Sequence, residues 1–339
     1  MEANQSFILS IRCITYNHSA FITNALNGFV MQQTSFPFFA VIIDDASTDG
    51  EQGIIRRYIN ESFDNSTDNG YKEWETEDAN WTIARHKENG NCWFLAVYLK
   101  KNLYCNPKKL ELIKEWMNTK YVALCEGDDY WTDPMKLQKQ VAFLENHTEY
   151  SMCTHAALWE RDGEMYKVGC QHDEECALSP DEVIRYGGLY LATASLVFRR
   201  ELADDWPLWR KLADVGDYPL QILGTLRGGM RFFPEPMCVY RFQHPGAWTN
   251  KDKLAGINVN HLKTEIAWLK LLDEETHCRY SDAIYSHLIP FYSELFRKKQ
   301  LGFDEYYKAF KKTSTLSNKR FVKDVLINNF YWLYKMIKR

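Results

Sequence analysis

The sequence lacks the features by which a secreted or membrane-spanning protein is usually recognised. Residues 1–6 hold no basic stretch leading into a long apolar run, as a signal peptide would. No apolar run reaches the roughly 20 residues of a membrane-spanning helix. The nine cysteines are odd in number and include no Cys-x-x-Cys pair, which argues against a disulfide framework and for reduced thiols. We therefore expect a cytoplasmic protein.

The chain also lacks an excess of charge of either sign. Its 41 basic and 45 acidic residues give a net charge of −4, so there is no overall basic footprint for nucleic acid. With 45% hydrophobic and 15% aromatic residues, the chain has much to bury and should be globular. Its 339 residues suffice for one large domain with an appendage, or for two domains.

The first sixty residues alternate between strand and helix patterns. Residues 7–14 and 38–43 are apolar, β-prone runs, whereas 20–31 and 54–59 carry apolar residues at helical spacing. Ser19 is placed to cap the first of these helices. This βαβ order predicts a mostly parallel sheet with right-handed crossovers.

Further elements are expected along the rest of the chain. Residues 60–92 are polar and predict loops with a hairpin. Strands are expected at 93–99, 121–125, 152–159, 165–168 and 191–198, and helices at 107–117, 135–144, 206–213 and 218–226. After Gly246 the pattern becomes helical, with helices expected at 262–272, 280–296, 303–311 and 321–337. We therefore divide the chain into a region 1–250 and a helical region 251–339.

An acidic cluster, residues 126–131 (Glu-Gly-Asp-Asp-Tyr-Trp), follows the expected strand 121–125. In open α/β sheets the carboxyl ends of the strands bind ligands. Two adjacent carboxylates are costly there unless something positive neutralises them, and Mg²⁺ holding a phosphate would do so. On this motif alone, a solvated turn with two chance aspartates explains the pattern almost as well.

Three segments, in this order and spacing, resemble the family 2 glycosyltransferases with the GT-A fold. They are residues 15–17 (Thr-Tyr-Asn), 44–50 (Asp-Asp-Ala-Ser-Thr-Asp-Gly) and the acidic cluster 126–131. Residues 216–220 and 239–241 agree with the same pattern further on. The resemblance covers roughly residues 6–250. Each motif is weak alone, and their order carries the resemblance.

The resemblance implies an α/β, GT-A architecture: a Rossmann-like, mostly parallel central sheet flanked by helices, here followed by the C-terminal helical extension. It implies an inverting enzyme that transfers a sugar from a nucleotide-diphosphate-sugar donor to a saccharide or lipid-linked acceptor in surface-polysaccharide synthesis. It also implies a divalent metal, Mg²⁺ or Mn²⁺.

Residue roles follow from the same resemblance. Residues Thr15, Tyr16 and Asn17 would line the nucleotide pocket, and Asp45 would bind the base. Asp128 would lie near the ribose or sugar, Asp129 would meet the metal–diphosphate, and Asp217 would be the general base. A single base without a covalent intermediate gives inversion, which parallels the single displacement of inverting glycosidases.

Two further residues come from the segment after the last strand. The guanidinium of Arg241 matches phosphate geometry and predicts a clamp on the diphosphate. The resemblance also leads us to expect a histidine after the Tyr-Arg pair. Here that histidine is His244, displaced by one position because Gln243 precedes it. His244 is either a third metal ligand, a phosphate contact or an ordinary loop histidine.

Two other functions compete. A nucleotidyltransferase with a similar core would need a Gly-rich, Lys- or Arg-bearing loop after the first strand, and residues 15–19 are not one. A non-catalytic assembly protein would use residues 319–339, a basic amphipathic segment, to hold partners at a membrane. That segment either contacts the cytoplasmic face of the membrane peripherally or packs on its own domain or on a partner, including a homo-oligomer. The family context favours the membrane.

Overall fold

The computed structural model describes residues 7–104, 106–170, 172–242, 244 and 258–314, together with Val325. The chain divides into two compact units. The first comprises Met1–Leu178, Leu189–Asp205 and Leu223–Lys251, and the second Ser179–Gly188, Trp206–Ile222 and Asp252–Arg339. Two short segments of the region 1–250 thus join the C-terminal residues in the second unit.

Within the described residues, thirteen strands of the first unit form one sheet. They are β1 Leu9–Thr15, β2 Phe38–Asp44, β3 Phe63–Asp64, β4 Lys72–Glu75, β5 Ala79–His86, β6 Cys92–Leu99, β7 Tyr121–Leu124, β8 Tyr130–Trp131, β9 Met152–Arg161, β10 Glu164–Lys167, β11 Cys176–Leu178, β12 Val197–Arg199 and β13 Met230–Arg241. The first unit also contains the helices α1 Ile22–Val30, α2 Glu51–Ser62, α3 Lys108–Leu112 and α4 Lys136–Asn146.

The sheet is mixed: its centre is parallel, and the strands on either side pair antiparallel, except that β13 runs parallel to β9. Its order is β11-β13-β9-β12-β7-β1-β2-β6-β5-β3, with β10 beside β9, β4 beside β5 and β8 beside β13. The central strands β7, β1, β2 and β6 run parallel, whereas β12 and β5 run antiparallel to their inner neighbours. The expectation of a parallel sheet therefore holds for the centre, which places the carboxyl ends of β1, β2 and β7 at one edge.

Strand β2 shows why this sequence forms a central strand. Alternate residues Phe38, Ala40 and Ile42 pack into one apolar core, and the residues between them pack into a second core on the opposite face. All seven residues of β2 are buried. A strand covered on both faces needs a continuous apolar run instead of an alternating one, and this is the run that the sequence contains.

Residues 60–92 differ from the expectation of loops, because most of β5 is buried there. Ala79, Trp81 and Ile83 point into one core, while the polar Asn80 and Thr82 alternate with them and obscure the apolar pattern. Strands β4 and β5 form the expected hairpin. Elsewhere, α3 ends at Leu112, earlier than predicted, and only the end of 191–198 is a strand.

The second unit is helical in the described residues. Its helices are α5 Pro180–Tyr186, α6 Leu208–Leu212, α7 Asp217–Leu226 (which crosses into the first unit), α8 Val259–Glu275, α9 Ser281–Arg297 and α10 Phe303–Phe310. Ser179 caps α5, because its side chain accepts a hydrogen bond from the Glu182 N–H. Ser19 does not cap α1, whose N-cap position is Phe21.

The last expected helix, 321–337, lies outside the described residues apart from Val325. Among the helices that are described, none combines the length and the apolar character needed to cross a membrane.

Candidate active site

Three loops meet where β1, β2 and β7 end. Thr15 pairs with Asp44 across β1 and β2, and the backbone N–H of Asp45 donates to the Thr15 carbonyl (2.9 Å). The Gly127 N–H donates to the Ile14 carbonyl (3.1 Å). Parallel pairing thus brings together three segments that are far apart in sequence, and with them most of the predicted site residues.

Close approach of two of these loops requires Gly127. A Cβ at this position would lie 2.1 Å from the Thr15 Oγ1 and 2.5 Å from the Thr15 Cβ. Such distances are far inside van der Waals contact, so any side chain here would push the acidic cluster away from β1. The glycine between Glu126 and Asp128 is therefore a packing requirement of the site.

The loop after β1 is held against the loop after β2. Asn17 adopts a left-handed conformation with φ of 57°. Its N–H donates to the Ser47 Oγ (2.9 Å), and its Oδ1 accepts from the Thr48 N–H (2.8 Å). Tyr16 is 38% exposed beside it. Asn17 thus shapes the turn, whereas the ring of Tyr16 is accessible to a ligand.

Both aspartates at the end of β2 are buried. The Asp44 Oδ1 accepts from the Ser47 N–H (3.0 Å) and from the Gln52 amide (2.6 Å), while its Oδ2 has no hydrogen-bond partner among the described residues. Asp45 accepts from the Leu103 N–H (2.6 Å) and forms an ion pair with Lys109. The predicted base-binding residue is therefore already neutralised by a lysine.

At the end of β7, the carboxylate of Asp128 lies between two histidines. Its Oδ2 is 2.9 Å from the His244 Nε2 and 3.8 Å from the His18 Nε2. Burial alone would raise the pKa of the Asp128 carboxyl, but the hydrogen bond to His244 and the positive charge of both imidazoles outweigh it and lower that pKa. Asp128 thus favours its ionised form.

Asp129 lies in a different environment. It is 2% exposed, and its Oδ1 accepts from the backbone N–H of Arg241 (2.9 Å). Burial, followed by the adjacent charge of Asp128, raises the pKa of Asp129 well above its ordinary value. The predicted metal ligand is therefore turned to the β13 backbone, whereas its neighbour Asp128 meets the histidines.

Arg241 holds the acidic loop in place. Its guanidinium donates to the Asp128 carbonyl (2.6 Å) and lies 3.2 Å from the Glu160 carboxylate. It also packs 4.9 Å from the ring centroid of Phe21 and 4.5 Å from that of Tyr130. Arg241 is only 7% exposed, and its guanidinium already binds these groups. Its contacts therefore favour a positioning role over the direct diphosphate clamp that the sequence predicts.

The side chains of His18, Asp128 and His244 fit a divalent metal. One ligating atom from each lies within 4.8 Å of the other two, and ligands bound at about 2.1 Å to one ion lie roughly 3 to 4 Å apart. Two imidazoles and one carboxylate form a mixed nitrogen and oxygen donor set. Such a set suits Mn²⁺ better than Mg²⁺, which prefers oxygen ligands and water.

Sequence reasoning assigned no role to His18 or Glu51. His18 stands in the turn directly after Thr15-Tyr16-Asn17, and a histidine three residues past a site strand is the signal that could have identified it. Glu51 is fully buried at the first turn of α2. Burial raises the pKa of Glu51, although hydrogen bonds from Thr15, His18 and Ser47 oppose the rise.

Asp217 lies in the second unit. It stands in the first turn of α7, and its Oδ1 accepts from the Tyr218 N–H (2.8 Å). Its role as general base stays a prediction.

No family model matches the sequence. Uncharacterized proteins of Mycobacterium tuberculosis and Mycobacterium bovis are 32% identical over 248 residues. The match covers 71% of this chain and 60% of each relative, so the chain matches well under two thirds of their length.

Solved structures of Staphylococcus aureus TarS share the fold. TarS 1–349 in complex with UDP-GlcNAc superposes with a TM-score of 0.59 at 15% identity, over 90% of this chain and 79% of that one. A longer TarS structure gives 0.58 at 14% identity, over 93% and 50%. The α/β fold class implied by the resemblance, a large central sheet flanked by helices with further helices at the C-terminal end, is thereby confirmed.

Proposed function

We propose that the chain is an inverting, metal-dependent glycosyltransferase that moves a sugar from a nucleotide-diphosphate-sugar donor to a saccharide or lipid-linked acceptor in surface-polysaccharide synthesis. The observation that supports this most is the set His18, Asp128 and His244 at the carboxyl edge of the sheet. The shared fold with TarS, which was solved with UDP-GlcNAc, adds to it. A uridine-diphosphate sugar is therefore the first donor to test.

The donor's nucleotide would lie in the loops after β1 and β2. The exposed ring of Tyr16 offers a stacking surface beside Asn17. Asp45 already accepts hydrogen bonds from Lys109 and Leu103, but an ionised carboxylate has about four lone-pair sites. Asp45 therefore keeps accepting capacity for a nucleobase N–H.

The donor's diphosphate would meet the metal site, and here we assign the ligands to Asp128 and His244 in place of Asp129. Asp129 is committed to the β13 backbone, whereas Asp128 faces two imidazoles. A bound Mn²⁺ would stabilise the negative charge that develops on the departing nucleoside diphosphate. Arg241 would hold the acidic cluster in position, because its guanidinium binds the carbonyl of Asp128 and its backbone N–H binds the carboxylate of Asp129.

Asp217 would accept the proton of the attacking acceptor hydroxyl. A positioned carboxylate base contributes about 10²- to 10⁴-fold to such a step. With one base and no covalent intermediate, the configuration at the anomeric carbon is inverted.

The test uses the full chain with Mn²⁺ and a panel of nucleotide-sugars. We expect one donor to raise the Tm only when metal is present, and to be hydrolysed slowly with release of the nucleoside diphosphate. Asp217→Asn should keep this rise in Tm and lose at least about 100-fold in turnover. Asp304→Asn is the matched control, because Asp304 also lies in the first turn of a helix of the second unit.

Each result decides a separate part of the proposal. Normal turnover by Asp217→Asn would show that the base is another residue. A donor that binds without turnover would favour the non-catalytic assembly function. If no nucleotide-sugar changes the Tm with metal, the chain is not a glycosyltransferase of this kind.

A further inference from the structure

A chain of hydrogen bonds leads from the buried Glu51 carboxylate to the imidazole of His18. The Thr15 hydroxyl donates to the Glu51 Oε1. The oxygen of that hydroxyl, Thr15 Oγ1, also lies 3.1 Å from the His18 Nδ1. The opposite ring nitrogen of His18, Nε2, faces the Asp128 Oδ2 at 3.8 Å. The imidazole of His18 is thus held between Thr15 on one side and the candidate metal site on the other.

The threonine hydroxyl has only one proton to give. Because that proton is directed to Glu51, the hydroxyl oxygen can meet the His18 Nδ1 only as an acceptor. Nδ1 must then carry the imidazole proton, and in the neutral ring Nε2 carries a lone pair instead. A lone pair on Nε2 is what a metal ligand requires.

The other contacts of Glu51 support its role as acceptor. Its Oε2 accepts from the backbone N–H of His18 (2.9 Å) and from the Ser47 hydroxyl (2.8 Å). The backbone N–H cannot reverse its direction, so this oxygen is an acceptor whatever the neighbours do. Glu51 also stands in the first turn of α2, where the helix dipole favours a negative charge.

We propose, on the premise of the function proposed above, that Glu51 and Thr15 fix the tautomer of His18 so that its Nε2 serves as a ligand of the metal held by Asp128 and His244. Glu51 and Thr15 are then positioning residues that act through His18. Hydrogen-bond partners of this kind orient metal-binding histidines and raise their basicity in many metal sites.

The tautomer can be observed without substrate or turnover. In the metal-free full chain, labelled with ¹⁵N in the imidazole rings, NMR distinguishes a protonated ring nitrogen from an unprotonated one. In a pH series carried to the neutral form of the ring, we expect His18, assigned by its absence from the His18→Ala spectrum, to keep its proton on Nδ1. A neutral His18 protonated on Nε2 overturns the proposal.

Replacement of Glu51 by glutamine should reverse the direction of the hydrogen bonds from Glu51 through Thr15 to His18. The amide oxygen of Glu51→Gln must face the backbone N–H of His18, which leaves the NH₂ group for Thr15. The hydroxyl would then donate to Nδ1, and the proton of His18 would move to Nε2. The variant should therefore show the opposite tautomer and bind Mn²⁺ at least about tenfold more weakly.

Thr15 offers a matched pair of variants. Thr15→Ser keeps the hydroxyl and should bind Mn²⁺ as the wild type does, whereas Thr15→Val keeps the shape, loses the hydroxyl and should bind about tenfold more weakly. His18→Ala should lose about 100-fold. Affinity is measured by titration calorimetry, and pulsed EPR of bound Mn²⁺ counts the coordinated imidazoles, which should fall from two to one in His18→Ala.

The outcomes separate this proposal from the proposed function. If the wild type binds Mn²⁺ and His18→Ala binds it equally well with an unchanged imidazole signal, His18 is not a ligand while the metal-dependent function stands. If the wild type shows no Mn²⁺ binding with or without a nucleotide-sugar, the metal site itself is refuted. The wild-type EPR measurement needs no variant: a count of fewer than two coordinated imidazoles overturns the proposal even if a variant does not fold.

Discussion

The carboxyl ends of β2 and β7 are each followed by two adjacent aspartates, yet the basic side chains beside the two pairs are different. At β2, Lys109 forms an ion pair with the buried Asp45. At β7, two imidazoles flank Asp128, with His244 at 2.9 Å and His18 at 3.8 Å. The same dipeptide, twice at the carboxyl edge of the sheet, is thus neutralised in two ways.

At each strand end, the other aspartate of the pair accepts hydrogen bonds from uncharged donors. Asp44 accepts from the Ser47 N–H and the Gln52 amide, and Asp129 accepts from the Arg241 N–H. Each strand end therefore has one carboxylate held by uncharged donors and one that meets basic side chains. Order along the chain does not decide which: the first aspartate is held by uncharged donors at β2, and the second at β7.

The difference in cation determines what each strand end can bind. An ammonium group has three donors and no lone pair, so Lys109 neutralises Asp45 and also excludes a metal ion. An imidazole can exchange its proton for a metal ion. The carboxyl end of β2 is consequently a polar surface that can accept a hydrogen bond from a nucleobase. The carboxyl end of β7 is the one able to hold a divalent cation.

The largest effect that tests this comparison is expected for Asp45→Asn. Lys109 would keep its charge in a buried site without its partner, and breaking a buried ion pair from one side costs about 3 to 5 kcal/mol of unfolding free energy. Urea denaturation measures the loss. Glu75→Gln, which removes an exposed ion pair with Lys100, is the control and should not change stability measurably. An unchanged Asp45→Asn would show that Lys109 finds solvent when its partner is removed.

Asp128→Asn should give the opposite result, with a small effect on stability and a large effect on Mn²⁺ affinity. Its partners are imidazoles that can become neutral, so the fold should lose little stability. Removal of the carboxylate that lies between His18 and His244 should weaken Mn²⁺ binding about 100-fold, which corresponds to about 2.7 kcal/mol. Titration calorimetry with Mn²⁺ measures this, and Asp45→Asn is the reciprocal control that should keep its affinity. Equal Mn²⁺ affinity in wild type and Asp128→Asn would abolish the distinction between the two strand ends.

Much of this arrangement follows from local sequence patterns. The apolar runs that end at Asp44 and near Asp128 predict strands, and the parallel βαβ order places their ends at one edge. The positions of Asp45 and Asp128 at that edge needed no further information. The helical character of the second unit likewise follows from spacing of apolar residues such as Leu262, Ile266 and Leu269, which are all buried in α8.

The chemistry of each strand end depends instead on contacts between distant parts of the chain. Lys109 lies 64 residues from Asp45, on a helix whose register no local pattern determines. Arg241 faces Glu160 and the Asp128 carbonyl because β13 pairs with β9 in one register across an irregularity between Phe233 and Cys238. A shift of that register would turn Arg241 to the other face of the sheet. The sequence therefore predicts which residues are present, whereas pairing decides their roles.

A third cation, Lys136, sharpens the comparison and gives the smallest expected effect. It is fully buried over the ring of Trp131, at 4.2 Å, and donates to the Gln140 amide (2.8 Å) instead of to a carboxylate. Burial lowers the pKa of Lys136 to about 8. Between pH 8 and the ordinary lysine range this lysine then binds more protons in the unfolded chain than in the folded one, so its own contribution to stability rises with pH.

From pH 7 to 9 this term adds about 1 kcal/mol to the unfolding free energy. Lys136→Met should abolish that increment and be more stable than the wild type at pH 7, as followed by urea denaturation at a series of pH values. Lys139→Met is the matched control on the same helix, since Lys139 is 35% exposed and paired with Glu235, and it should keep the wild-type pH dependence. If the stabilities of Lys136→Met and the wild type change equally from pH 7 to 9, Lys136 is charged in the folded state, and a buried cation here needs no carboxylate at all.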